Sequence, residues 1–333
     1  MPGAGLSGIN GSMRIVPVCC IALLVCASVQ AQQIAFQTQT QGGNQPFAYQ
    51  WRDRDGRTQS MQFVLNVSDI QRGSTEFQGW DDDEAEALAV KQTQRKAAEI
   101  SSPGLLINVA GVPNGYQASL RGRPGAATQQ RANQVQNILS ATYNKAITDY
   151  AQTHFYRATF RDSGAEKQTI IMPDHVALAK RYTAAMGPVA DALRQSVLPA
   201  GADERTFINA ALSWLQTIPY DTLRSRSTSN GAGYQTPYGL MLGNKGDCDT
   251  KATAFLALLR AAYPYLKTAI IYTPNHAFVG IGLPKRDEDF ALSTFTGIYV
   301  LADPTGPGQQ PLGRIDPETQ EQLRERHTQV LPL

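Results

Sequence analysis

Cysteine is scarce in this chain: four in 333 residues, with Cys19, Cys20 and Cys26 all near the amino terminus. If that terminus is removed, Cys248 alone remains, which excludes an internal disulfide and a multi-cysteine metal site. Histidine numbers four; His154, His175 and His327 have no His, Cys or Glu at ligand spacing, and no HExxH occurs. An excess of one charge is also missing. Thirty Lys and Arg face 28 Asp and Glu, a formal net charge of +2, so nothing electrostatic argues for nucleic acid or an anionic membrane as partner. Lys245-Gly246-Asp247 has too few glycines around it for a phosphate loop. Trp51, Trp80 and Trp214 are the only tryptophans and read as core residues rather than a sugar platform.

What the first residues do have is an uncharged apolar run from Ile15 to Val29, preceded by Arg14 and followed by Gln30-Ala31. This is the layout of a secretory signal peptide cleaved after Ala31, its ~15 apolar residues being too few to span a membrane comfortably. The expected address is the periplasm or the cell exterior, with no integral membrane segment in the mature chain. A lone thiol there is either buried and inert or present for its reactivity.

Three regions are expected after the leader: a β-containing segment over 32–125, a helical one over 126–200, and a domain with a tail over 201–333. The Gln-rich stretch QTQTQGGNQ reads as flexible. FAYQW and MQFVLNV alternate around RDRDGR, a hairpin pattern. Asp81 to Ile100 predicts a helix with an acidic start, LLINV at 105–109 a strand, and the Gly/Pro-rich 110–127 a loop. Helices are expected from Ala127 to Tyr150 and from Val176 to Gln195.

ERTFINAALSWLQTIPY aligns Phe207, Ala210, Ala211, Trp214, Leu215 and Ile218 on one helical face. TAIIY, HAFVGIGL and IYVLAD read as strands, and a short exposed helix is expected from Pro317. A helix packed on a small antiparallel sheet, an α+β arrangement, is the simplest architecture for this half.

Cys248 sits where that helix begins. Ala252, Phe255, Leu256 and Leu259 follow at helical spacing, Asp247 is a suitable N-cap, and Gly246 permits a tight entry. The unpaired N–H groups of a helix start favour a thiolate and can hold the oxygen of a tetrahedral intermediate. The bland alternative is a cysteine buried as a small hydrophobe. His276 opens a strand and Asp303 ends another; singly each has an ordinary structural reading. If the two strands pair antiparallel, the start of one lies beside the end of the other, and Cys, His and Asp form a set suited to nucleophilic catalysis.

GDCDTKATAFLALLR, NHAFVGIGL and YVLADPT, in that order, resemble the transglutaminase-like superfamily, which shares its fold logic with papain-like proteases. WLQTIPYD and YQTPYGLMLGNKGDC upstream look like it too, and the resemblance spans roughly 204–310. It implies Cys248 as nucleophile, His276 as general base and then acid, and Asp303 as orienting carboxylate. A second oxyanion donor would come from upstream: Gln235, with Tyr234 and Tyr238 as rivals. Asp249 resembles the acidic residue often found after the cysteine, but the role expected of it is the plainer one of a first-turn charge.

The expected activity is hydrolysis of a peptide or amide bond in a peptide or protein substrate through a thioester on Cys248. Amine transfer that cross-links proteins would use the same three side chains, and a non-catalytic peptide-binding module could keep the same fold. No cofactor is implied; a need for calcium stays open.

Overall fold

Alternation of apolar and polar residues builds a three-stranded antiparallel sheet from β1 (Gln33–Thr38), β2 (Asn44–Arg52) and β3 (Thr58–Asn66). Its buried face carries Phe47, Tyr49 and Trp51 from one strand and Met61, Phe63 and Leu65 from the next. Phe47 pairs with Phe63, their rings 5.0 Å apart. The Gln-rich stretch expected to be flexible overlaps both strands, Gln37 and Thr38 ending β1 and Asn44 and Gln45 opening β2, while Phe36 of β1 sits 4.9 Å from the Tyr49 ring. The computed structural model describes residues 33–122, 129–162, 167–224, 233–324 and 328–333, so the expected signal peptide and His327 lie outside it.

Next come α1 (Val67–Glu76), α2 (Asp82–Ile100), β4 (Leu105–Val112), β5 (Gly115–Gly122), α3 (Gln129–Thr153), β6 (Tyr156–Asp162) and β7 (Lys167–Pro173). Asp81 caps α2 by accepting the Glu84 N–H at 2.9 Å. The expected loop from 110 is in its described part a hairpin. Asn114 and Gly115 take positive φ values of 60° and 152°, and Asn-Gly is a strong turn signal between two strands. With α2 and α3 this hairpin closes a small core of its own around Leu105, Val109 and Leu139.

The single helix expected over 176–195 is broken into α4 (His175–Arg181), a 3-10 turn (Ala184–Met186) and α5 (Gly187–Ser196). Pro188 lacks an N–H and belongs in a first turn, so it starts a new helix rather than continuing one.

The remainder comprises α6 (Glu204–Thr217), α7 (Pro237–Gly243), α8 (Cys248–Ala262), β8 (Thr268–Tyr272), β9 (Ala277–Ile281), β10 (Ala291–Thr294), β11 (Gly297–Ala302), α9 (Pro317–Arg324) and β12 (Gln329–Pro332). The strands form one antiparallel sheet in the order β10-β11-β9-β8-β12. β10 and β12 were not foreseen; each is four residues long, too short to display a period. α8 packs against β8 and β9, its residues Ala252 to Leu259 wholly buried.

These pieces make a mixed α/β architecture with several small sheets. One large core joins the first sheet to α8: Trp214 of α6 meets Tyr49 edge-on at 5.4 Å, and Trp51 Nε1 donates to Ser213 Oγ at 3.1 Å. Residues 32–333 accordingly hold together as one compact unit. Trp214→Ala removes the side chain where the two halves meet. It should cost ~3–5 kcal/mol, read as a shifted urea midpoint in a single transition reported alike by β-sheet and helix signals.

Candidate active site

The approach to Cys248 is fixed from both sides. α7 ends at Asn244, whose left-handed conformation (φ 47°) turns the chain, and the Asn244 and Gln33 side chains exchange two hydrogen bonds of 3.1 and 2.7 Å. Gly246 then donates its N–H to the Pro219 carbonyl. A Cβ on Gly246 would stand 2.8 Å from Leu240 Cδ1 and 2.9 Å from Thr250 Cγ2, so glycine is needed for this close approach. Asp247 caps α8, accepting the Thr250 N–H at 2.9 Å. Burial, followed by the charge of Asp249, pushes its carboxyl up to about 7.

Cys248 is the first residue of α8 and is partly buried. Its Sγ donates to Asp249 Oδ1 at 3.5 Å, and the backbone N–H of Ala277, next to His276, acts to lower the pKa of the thiol. Burial pushes the thiol well above its ordinary range, and Asp249 and Asp247 push it further; the Ala277 N–H acts the other way. The expectation that the helix start favours a thiolate is therefore offset here. The dipole carries about half a charge, whereas Asp249 and, to the extent it is ionised, Asp247 flank this sulfur. The resting group is a protonated thiol.

Pairing of β9 with β11 sets the rest. Val300 faces Ile281 and Ala302 faces Val279, so the residue before β9 and the residue after β11 share one end of the sheet. These are His276 and Asp303, and His276 Nε2 lies 2.8 Å from Asp303 Oδ2. The other carboxylate oxygen accepts the Thr305 N–H at 2.9 Å, and Gln216 Nε2 donates to the Asp303 carbonyl at 2.6 Å. The imidazole also stacks on Phe278 at 5.8 Å. Burial alone would lower its pKa, but the hydrogen bond and charge of Asp303, with Asp316 and Asp249, raise it above 6.5. With Nε2 engaged, Nδ1 is the nitrogen left for proton transfer.

Asp249 is more than a first-turn charge. Besides accepting from the thiol, its Oδ2 lies 3.9 Å from Nε2 of His175, a fully buried imidazole whose Nδ1 is 2.5 Å from the Tyr272 hydroxyl. Burial keeps His175 below its ordinary pKa, hence neutral. The sequence held no local signal for this pair, because Tyr272 and His175 lie 97 residues apart.

The upstream candidates are dispersed. Gln235 is buried with its side chain along α7, its Cβ and Oε1 near Gly239 and Gly243, while its N–H donates to Thr250 Oγ1. Tyr234 is fully buried, edge-on to Phe77 and 5.1 Å from the His175 ring. Tyr238 packs against Tyr182 and over Gly73. Lys251, Gln216 and Thr305, which touch the machinery around Asp303, were not singled out from sequence. Among the described residues no cluster of three or more His, Cys, Asp or Glu could hold a metal ion.

Two measurements follow from this electrostatic setting. Asp249→Asn takes a charge from beside the sulfur and should speed iodoacetamide alkylation of Cys248 at pH 8 by ~10-fold. Asp247 binds its proton more tightly folded than unfolded, so its contribution to stability is lost as pH rises from ~4 to about 7. Asp247→Asn, which keeps a capping oxygen, should flatten that part of the stability slope in urea titrations between pH ~4.5 and ~7.5.

Compared with models of protein families, with curated proteins and with solved structures, the chain finds no match in any of the three.

Proposed function

We propose that this protein is an exported cysteine-dependent acyl-transfer enzyme, with a core of transglutaminase-like type, that hydrolyses a peptide or amide bond through a thioester on Cys248. The observation that carries this reading is the 2.8 Å bond from His276 to Asp303, beside β9, the strand on which the Cys248 helix packs. Nucleophile, base and orienting carboxylate thus have distinct partners and roles.

In the first step His276 Nδ1 takes the thiol proton as Sγ attacks the substrate carbonyl carbon. The raised thiol pKa makes this transfer coincide with substrate binding instead of preceding it. Negative charge on the carbonyl oxygen is held by the N–H groups of Cys248 and Asp249 at the start of α8, that of Thr250 being taken by the Asp247 cap. His276 then returns the proton to the leaving amine nitrogen, the C–N bond breaks, and the thioester remains. Water, deprotonated by His276, attacks the thioester; the thiolate leaves and recovers a proton, and a carboxylic acid is released. Asp303 fixes the imidazole orientation throughout.

A competition assay tests the reading. Casein peptides and a fluorescent primary amine are incubated with the mature chain, and cleavage is compared with amine incorporation. Cleavage should dominate, vanish in Cys248→Ala, and fall ~10²–10⁴-fold in His276→Ala. Incorporation without cleavage would assign amine transfer to the same thioester. Neither product, with alkylation of Cys248 indifferent to His276→Ala, would leave a binding module.

A further inference from the structure

α8 carries one residue that its surroundings do not explain. From Thr250 to Leu259 every residue is buried, and Lys251 is among them at 0% exposure. Removing an ammonium from water is expensive unless it is hydrogen-bonded or paired, and a helix needing only apolar filling would place Leu or Met here. Lys251 follows Cys248 by three positions, one turn along the helix.

Its Nζ donates to two backbone carbonyls, Ile218 at 2.5 Å and Thr305 at 2.6 Å. The second contact is the informative one. Thr305 also gives its N–H to Asp303 Oδ1, while Oδ2 of the same carboxylate holds His276. A continuous set of hydrogen bonds therefore runs from the nucleophile helix through the 303–305 turn to the imidazole. The first contact ties in the end of α6, where Gln216 holds the Asp303 carbonyl. The turn is packed tightly onto that strut: Gly306, at φ 74°, leaves no room for a Cβ, which would stand 2.3 Å from the Gln216 carbonyl oxygen.

We propose that Lys251 is a positioning residue of this site, a buried ammonium that locks the 303–305 turn to the nucleophile helix and so keeps the Asp303 carboxylate aimed at His276. This inference rests on the catalytic reading above and adds a fourth side chain to it. Lys251 touches neither substrate nor reacting atoms; it acts through Thr305 and Asp303. The charged and titratable groups that face it are Asp303 from the end of β11 and Asp247 and Cys248 from its own helix. Burial lowers its pKa to about 8, against the pull of Asp303 and then Asp247, so near neutral pH it is still mainly a cation.

The geometry separates a positioning role from a charge effect, because the two move His276 in opposite directions. Loss of a nearby cation by itself would make the imidazole easier to protonate. Loss of the carboxylate's aim would make it harder, since Asp303 is what raises the His276 pKa. The test is an NMR titration of the mature chain with labelled histidine, the His276 signal being assigned by its absence in His276→Gln.

In Lys251→Met the His276 titration should fall back toward the ordinary 6.5, with kcat lowered ~10–100-fold and KM little changed. Lys251→Arg, which keeps charge and donors, should restore part of the shift. An unchanged or higher His276 pKa in a folded Lys251→Met protein overturns the proposal. So does failure of Lys251→Met, Lys251→Leu and Lys251→Arg all to fold, judged by circular dichroism, which would make Lys251 a folding residue only. The titration does not depend on turnover. If the catalytic reading fails, His276→Ala leaves alkylation of Cys248 unaltered, while the imidazole still reports whether Lys251 holds the carboxylate.

Discussion

The antiparallel register between β9 and β11 is the constraint on which the site depends. Side chains in a sheet alternate with a period of two, so a slip of one residue would move every neighbour to the opposite face. Val279 opposite Ala302 is the last pair in the ladder, and just past it His276 and Asp303 meet. The register is held by burial: Val279, Ile281, Val300 and Ala302 all lie in the large core. The hydrogen bond at the sheet's end therefore draws its precision from hydrophobic packing several residues away.

Around that end the electrostatics are uneven. The sulfur is bordered by Asp247 and Asp249 and stays protonated, whereas the imidazole gains basicity from Asp303, Asp316 and Asp249. Asp249 acts on both groups, suppressing the thiolate while adding to the basicity of the imidazole. A thiol held protonated is the less reactive form, since oxidation and alkylation proceed through the thiolate. The first half of the chain takes part as well, through His175 behind Asp249 and Gln33 against Asn244.

Much of the frame was legible in the residues. Asp247 announced the start of α8, the alternation of FAYQW and MQFVLNV announced β2 and β3, and the three short apolar runs announced the middle of the second sheet. Legibility failed where a signal was non-local or crowded. Gly and Pro around 110–122 obscured an Asn-Gly hairpin, and β1 owes its order to pairing with β2 and not to its own composition. The His276–Asp303 contact could be inferred because strand pairing is a local rule applied twice. His175 and Tyr272 could not, since their approach depends on how α4 packs against α8. Lys251 could have been noticed: a lysine flanked by Ala252, Phe255 and Leu258 interrupts an otherwise apolar helix, and such an interruption has a cause.

The placement of β12 bears on solubility. β8 is the strand next to β9 on the side away from β11, and Gln329 to Pro332 cover its outer backbone from Tyr272 to Ala269. Without that cover, β8 would present a row of unmatched amides and carbonyls on an apolar strand, a template for joining other chains. β12 is four residues long and ends at Pro332, and a proline has no amide hydrogen to offer a further strand. β12 thus serves as a guard rail along β8, in the sheet whose end carries His276.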